Sequence, residues 1–219
     1  MTQSFDQLIW DFNMNQFITA VLTSLSSGAI YALMSISLVL VWRSTRVVNF
    51  AQAGQAVLTT FIGYEVTVRS GSYWIGLIAA VISGAVVGAI IDRFFMRPIF
   101  KRVKSGPIVM IAPVVATLGL LGLIQAIIGF IWGFTYVSIE APVSTDGYNL
   151  FGTVVAFSPF NLMVLVAVTI AMLLLTLLFQ KTNIGLALRA SAFSPEIARL
   201  SGIKVDAVRT LGWAIAGSD

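Results

Sequence analysis

Few residues in this 219-residue chain could do chemistry, and the missing types exclude most of it. There is no histidine and no cysteine. That removes His/Cys zinc sites, thiol nucleophiles, histidine-based triads, iron–sulfur ligation and disulfides. Glu65 is a lone carboxylate within an otherwise weakly polar run, with Arg69 four residues later. This is the favourable order for a helical ion pair; an ion-coupling site is the other reading. An enzyme working inside a membrane would need paired acids, or a nucleophile beside a base, and Glu65 has no such partner. No GxxxxGK[ST] run is present to bind ATP. What remains is a set of amides: Asn49, Gln52 and Gln55 close together, and Gln125 farther on. They either line a translocation path or hydrogen-bond between helices. No metal site and no cofactor is expected.

These residues must be positioned by apolar helices. Apolar residues make up 58% of the chain and charged residues 10%, with a mean hydropathy of +0.95. A soluble protein of this size cannot hide that much apolar side chain, since its surface needs a polar covering. The expected fold class is all-α, a polytopic membrane protein and a single transmembrane domain over residues 1–219. Five complete spans are expected at about 17–42, 50–68, 73–91, 107–133 and 160–179. A sixth begins near Leu211, so the sequence reads as a fragment that ends inside a helix. Residues 1–16 hold Asp6 and Asp11 and no basic residue, so the first span is expected to be a retained anchor rather than a signal peptide.

Charge placement sets the expected orientation. Twelve of the 13 basic residues fall after the first, third and fifth spans, leaving Arg69 on the other side. The positive-inside rule puts those three loops, Arg46 and Lys104 among their residues, in the cytoplasm and the N-terminus outside. The net charge of +4 is therefore attributed to membrane sidedness, with no nucleic-acid partner implied. Pro113 is expected to kink the fourth span, and Pro107 suits its first turn.

Within the third span Gly76, Ala80, Gly84 and Gly88 recur every fourth position. One helix face thus carries small residues that let backbones approach closely, and helix packing is preferred over a pore lining. No ionisable residue lies at mid-membrane depth and no selectivity element is visible. If the protein moves a solute uphill, the energy must come from another subunit.

The cytoplasmic loop 180–210 is where such a subunit could press. Gly185–Ser191 reads as a short amphipathic helix. Ser194 is a candidate N-cap with Pro195 at the first helical position, and Gly202 is a candidate stop. A short helix of this kind either fits a partner's groove or is a solvated linker.

The segment IGLALRASAFSPEIARLSGIKVDAV (184–208) resembles the ATPase-contacting loop of permeases in branched-chain amino-acid ABC importers. VVNFAQAG (47–54), DRFFMRPIFKR (92–102) and ATLGLLGLIQ (116–125) fit the same family in order, so the resemblance runs from about Gly28 to Gly212. It implies a membrane subunit in the inner (plasma) membrane that translocates branched-chain amino acids. It also implies partners: cytoplasmic ABC ATPase subunits, a sister or identical permease, and a substrate-binding protein outside. Carried over by position, Ala190, Pro195, Glu196, Ala198, Arg199 and Gly202 would form the ATPase-coupling loop, and Asn49 and Gln52 would begin the segment near the path. This chain departs from the family at Gln52-Ala53-Gly54-Gln55, where the glycine comes one place later and the usual Glu is absent. A related system for urea or short amides, and a passive channel without ATPases, are the alternative functions.

Overall fold

The computed structural model describes residues 14–45, 47–102, 108–133, 136–150, 153–155 and 157–218. The expectations for Asp6, Asp11, Arg46, Lys104 and Pro107 lie outside the described residues. The helices are α1 (Met14–Thr45), α2 (Gln52–Ser70), α3 (Tyr73–Ile90), α4 (Arg97–Arg102) and α5 (Ile108–Trp132), then α6 (Pro159–Lys181), α7 (Asn183–Phe193), α8 (Pro195–Leu200) and α9 (Val205–Gly217). An antiparallel hairpin, β1 (Tyr148–Leu150) and β2 (Thr153–Val155), is the one piece of strand among the described residues. Its register pairs Tyr148 with Val155 and Leu150 with Thr153.

Among the described residues, four helical stretches are long and apolar enough to cross a membrane: Phe17–Arg43, Tyr73–Phe100, Ile111–Trp132 and Pro159–Lys181. α2 is 19 residues long but less apolar, because Gln52, Gln55, Glu65 and Arg69 interrupt it. The five expected spans therefore become four by this criterion. α6 is apolar all round and leaves Leu173, Leu174 and Leu177 more than half exposed. Such a helix needs lipid or a partner to cover it.

The third span corrects the expected boundary at residue 91. α3 runs without a break through a π-helical turn (Ile91–Met96) into α4. The Arg97 N–H donates to the Asp92 carbonyl, five residues back. Pro98 explains the widened turn. It has no N–H to give, and its ring crowds the carbonyl one turn earlier, so a wider turn relieves both problems without ending the helix. Asp92, Arg93 and Arg97 thus lie on a helix rather than in a loop.

The residues fall into two compact units. One comprises residues 1–33 and 141–173. Within it the Tyr148 N–H bonds the Phe157 carbonyl, and Ser158 accepts from the Asn161 N–H at the start of α6. The other comprises residues 34–140 and 174–219 and holds the core. Val41, Ile91, Met96, Ile124 and Trp213 are buried there, with Phe61 and Trp132 packed against the cluster. Every candidate site residue belongs to this second unit.

Candidate functional site

Local sequence rules build the segment from Thr182 to Ile203. Thr182 caps α7, its hydroxyl accepting from the Gly185 N–H at 3.1 Å. Ser194 caps α8 in the same way, accepting from the Ile197 N–H at 3.4 Å, with Pro195 following at the first helical position. α8 then closes in a Schellman motif. Gly202 takes φ +82°, its N–H donates to the Arg199 carbonyl, and the Ile203 N–H donates to the Ala198 carbonyl. A positive φ is where glycine costs least.

This short helix turns only part of itself inward. Ala198 is 3% exposed, whereas Ile197 and Leu200 are 60% and 89% exposed and Phe193 is 89% exposed. Pro195, Glu196, Arg199 and Gly202 are exposed and Ala190 is half-buried. Three large apolar side chains exposed along one short stretch of chain are a costly thing to leave in water.

The segment is tied to the third span by a cluster of charges that sequence reasoning missed. Asp92, on the π-helical turn, is completely buried. Its carboxylate accepts from Arg97 Nε at 3.1 Å, from Arg209 Nε at 2.8 Å and from Thr210 Oγ1 at 2.6 Å. Arg97 also donates to the Asp206 carbonyl at 2.6 Å and to the Thr210 hydroxyl. The Arg209 guanidinium lies over the Phe100 ring, 5.3 Å from its centre. Asp206 Oδ1 is 3.8 Å from both Arg209 and Arg199. A connected line therefore runs from Arg199 on α8, through Asp206 and Arg209 on α9, to Asp92. A buried carboxylate is tolerable only when it is paired and its lone pairs are used, and here three donors meet that need. The one acid within the basic run DRFFMRPIFKR was the available signal. Its partner lies 117 residues away in sequence, and nothing local points to it.

The amides divide into two groups. Asn49 is fully buried, accepts from the Ala51 N–H at 3.1 Å and donates to Gln52 Oε1 at 3.2 Å. Gln52 Nε2 donates to the Ala216 carbonyl on α9 at 2.8 Å, and Gln55 Nε2 to the Gly84 carbonyl on α3 at 3.4 Å. The structure thus joins these three into one buried set that links α2, α3 and α9. Gln125 is not among them; it is exposed on α5.

The small-residue face of α3 serves two neighbours. A Cβ at Gly76 would fall on Thr67 and the Gly63 carbonyl of α2, and Ala80 sits against Gly63. Farther along, a Cβ at Gly84 would fall on the Gly217 carbonyl, and one at Gly88 on the Trp213 carbonyl, both on α9. Close approach of backbones is what glycines on a helix face permit.

The family described as branched-chain amino acid transport system / permease component matches residues 20–218. A probable branched-chain amino acid transport permease protein, LivH of Methanocaldococcus jannaschii, is 32% identical over 193 residues. The match takes in 85% of this chain and 58% of that relative, so the chain spans little more than half its length. No solved structure matches.

Proposed function

The chain belongs to the branched-chain amino acid transport permease family, and from that premise we propose that it is a membrane subunit of an ABC importer for branched-chain amino acids. Separate ATPase subunits supply the energy, a binding protein outside delivers substrate, and a sister or identical permease completes the path. The chain sits as a multi-pass protein in the plasma membrane, which is the inner membrane in a bacterium. α2 joins the four more apolar spans as a fifth, α9 begins a sixth, and the N-terminus faces out.

The observation that carries this reading is α8. It is capped at both ends and exposes Ile197 and Leu200 beside Glu196 and Arg199, and it is connected to the third span through Arg199, Asp206, Arg209 and Asp92. An ATPase cleft would cover Phe193, Ile197 and Leu200. Closure of the ATPases on ATP would displace α8, and the charge relay would pass that movement to α9 and to the π-helical turn. The buried amide set and the glycine face would keep α2, α3 and α9 moving as one body, since packed interfaces shift as units rather than deform. A passive channel has no use for such a helix. A system for urea or short amides would use the same coupling and differ in the binding protein.

The test is ATP-driven uptake by the assembled transporter carrying Glu196→Ala with Arg199→Ala. Both side chains are exposed, so membrane insertion should be unchanged while uptake is lost. Normal uptake by the double variant would overturn the coupling role of α8.

A further inference from the structure

Between the end of α1 and the segment α7–α9 lies a cavity of about 350 Å³. Arg43, Arg199 and Arg209 line it, together with Thr45, Phe100 and Ser191, and no carboxylate among the described residues does. Arg199 and Arg209 share Asp206, and Arg209 shares Asp92 with Arg97. Arg43 has no ion-pair partner among the described residues. The cluster of four arginines and two aspartates therefore has two positive charges in excess: one is spread over Arg97, Arg199 and Arg209, which share the two aspartates, and the other is Arg43. In the same wall the Ser191 hydroxyl is buried without a hydrogen-bond partner among the described residues.

A second cavity, of about 110 Å³, adjoins the first and shares Arg43 and Ala192 with it. The rest of its lining is apolar apart from Arg189: Ile36, Val39 and Leu40 of α1, Phe179 of α6 and Leu188 of α7. The level of the pair in the fold follows from the spans. Two of the stretches able to cross a membrane end at Arg43 and at Phe100, both of which line the basic cavity. The basic cavity thus sits where apolar helix gives way to polar chain, and the crevice extends back along the apolar part of α1.

We propose that the two cavities together bind an anionic phospholipid. Its phosphate is held by Arg43 with Arg199 and Arg209, and an acyl chain lies in the crevice along Ile36, Val39 and Leu40. Basic pockets between membrane helices at the interface attract anionic headgroups, while apolar side chains receive the chain. Free phosphate would satisfy the arginines but leave the crevice empty. An acidic protein segment would reach the arginines from the water and would also leave the crevice empty. The proposal stands apart from the transport reading, because it needs only the charge excess and the adjoining crevice.

The test is native mass spectrometry of the full chain in detergent, with a thermal-unfolding midpoint recorded alongside. The probes are phosphatidylglycerol, phosphatidylcholine with the same acyl chains, and inorganic phosphate. Phosphatidylglycerol should be retained and should raise the midpoint, with the other two doing neither. Arg43→Gln should weaken phosphatidylglycerol binding by about fivefold, as expected for one arginine facing an anionic headgroup. Arg93→Gln, a control at an exposed arginine that does not line the cavity, should leave it unchanged. If Arg43→Gln does not fold, Arg199→Gln reads out the same site from an exposed position. Equal retention of the two lipids overturns the proposal, as does equal weakening by the Arg43 and Arg93 variants. Stabilisation by inorganic phosphate alone would replace it with a simple anion site. An acidic peptide, added as a fourth probe, would replace it with a protein-docking surface if it stabilised the chain where phosphatidylglycerol did not.

Discussion

Two ion pairs in this chain have nearly opposite physics. At one end of α2, Arg69 Nε donates to Glu65 Oε1 at 2.8 Å, four residues apart on one helix, with 77% of the Arg69 side chain and 39% of the Glu65 side chain exposed. At the end of the third span, Asp92 is wholly buried and meets Arg97 from its own helix and Arg209 from α9. The exposed pair keeps its water and its freedom, so it contributes little whether made or broken. The buried cluster has given up its water, so its members hold together or cost a great deal apart. What differs is the desolvation, and it makes one pair a surface ornament of α2 and the other a joint between α9 and the third span.

Breaking the joint should give the largest effect. Asp92→Asn keeps the volume but leaves Arg97 without a counter-charge and Arg209 with only Asp206, at 3.8 Å. A loss of about 3 kcal/mol is expected, toward the low end for a broken buried pair because both arginines keep some exposure and can rehydrate in part. The thermal-unfolding midpoint in detergent would show it; an unchanged midpoint would mean that the cluster does not hold α9 to the third span. Gly84→Leu sharpens the same point without touching charge. Its side chain would meet the Gly217 carbonyl, so α9 must move, at about 1–3 kcal/mol for an overpacked contact. Wild-type detergent stability in that variant would argue against α3 and α9 packing through small residues. Glu65→Gln should do least, within about 0.5 kcal/mol, and what effect it has should fade as salt is raised. The Asp92→Asn effect should survive the same salt, and a common salt dependence would erase the contrast between the two sites.

The difference also explains what could be read early. The Glu65–Arg69 pair, the Ser194 cap and the Gly202 stop obey rules that act within one or two helical turns, and short-range spacing displays them. The end of the third span was expected at 91 because the charges that follow it read as a loop, whereas the helix continues to Arg102. Arg93 and Arg97 looked like loop residues, and Asp92 among them drew no notice. Pro98, which looks like a helix breaker, is absorbed by the wider π-helical turn. Asn49, Gln52 and Gln55 stood out as polar residues among apolar neighbours. Whether they faced a path or a neighbouring helix depended on α9, which arrives some 160 residues later to receive Gln52 at Ala216.

By itself the sequence determined an apolar, helical chain without histidine or cysteine chemistry, and a short capped helix on the connector after α6. Composition sets the first two, and hydrogen bonds between near neighbours set the third. Only the tertiary structure decided which backbone the small face of α3 would meet, where the amides would find acceptors and which arginines would close on Asp92. Those outcomes rest on segments far apart in the chain meeting out of water. The strength of a charge or a hydrogen bond there is set by packing and burial, and neither is a property of any residue alone.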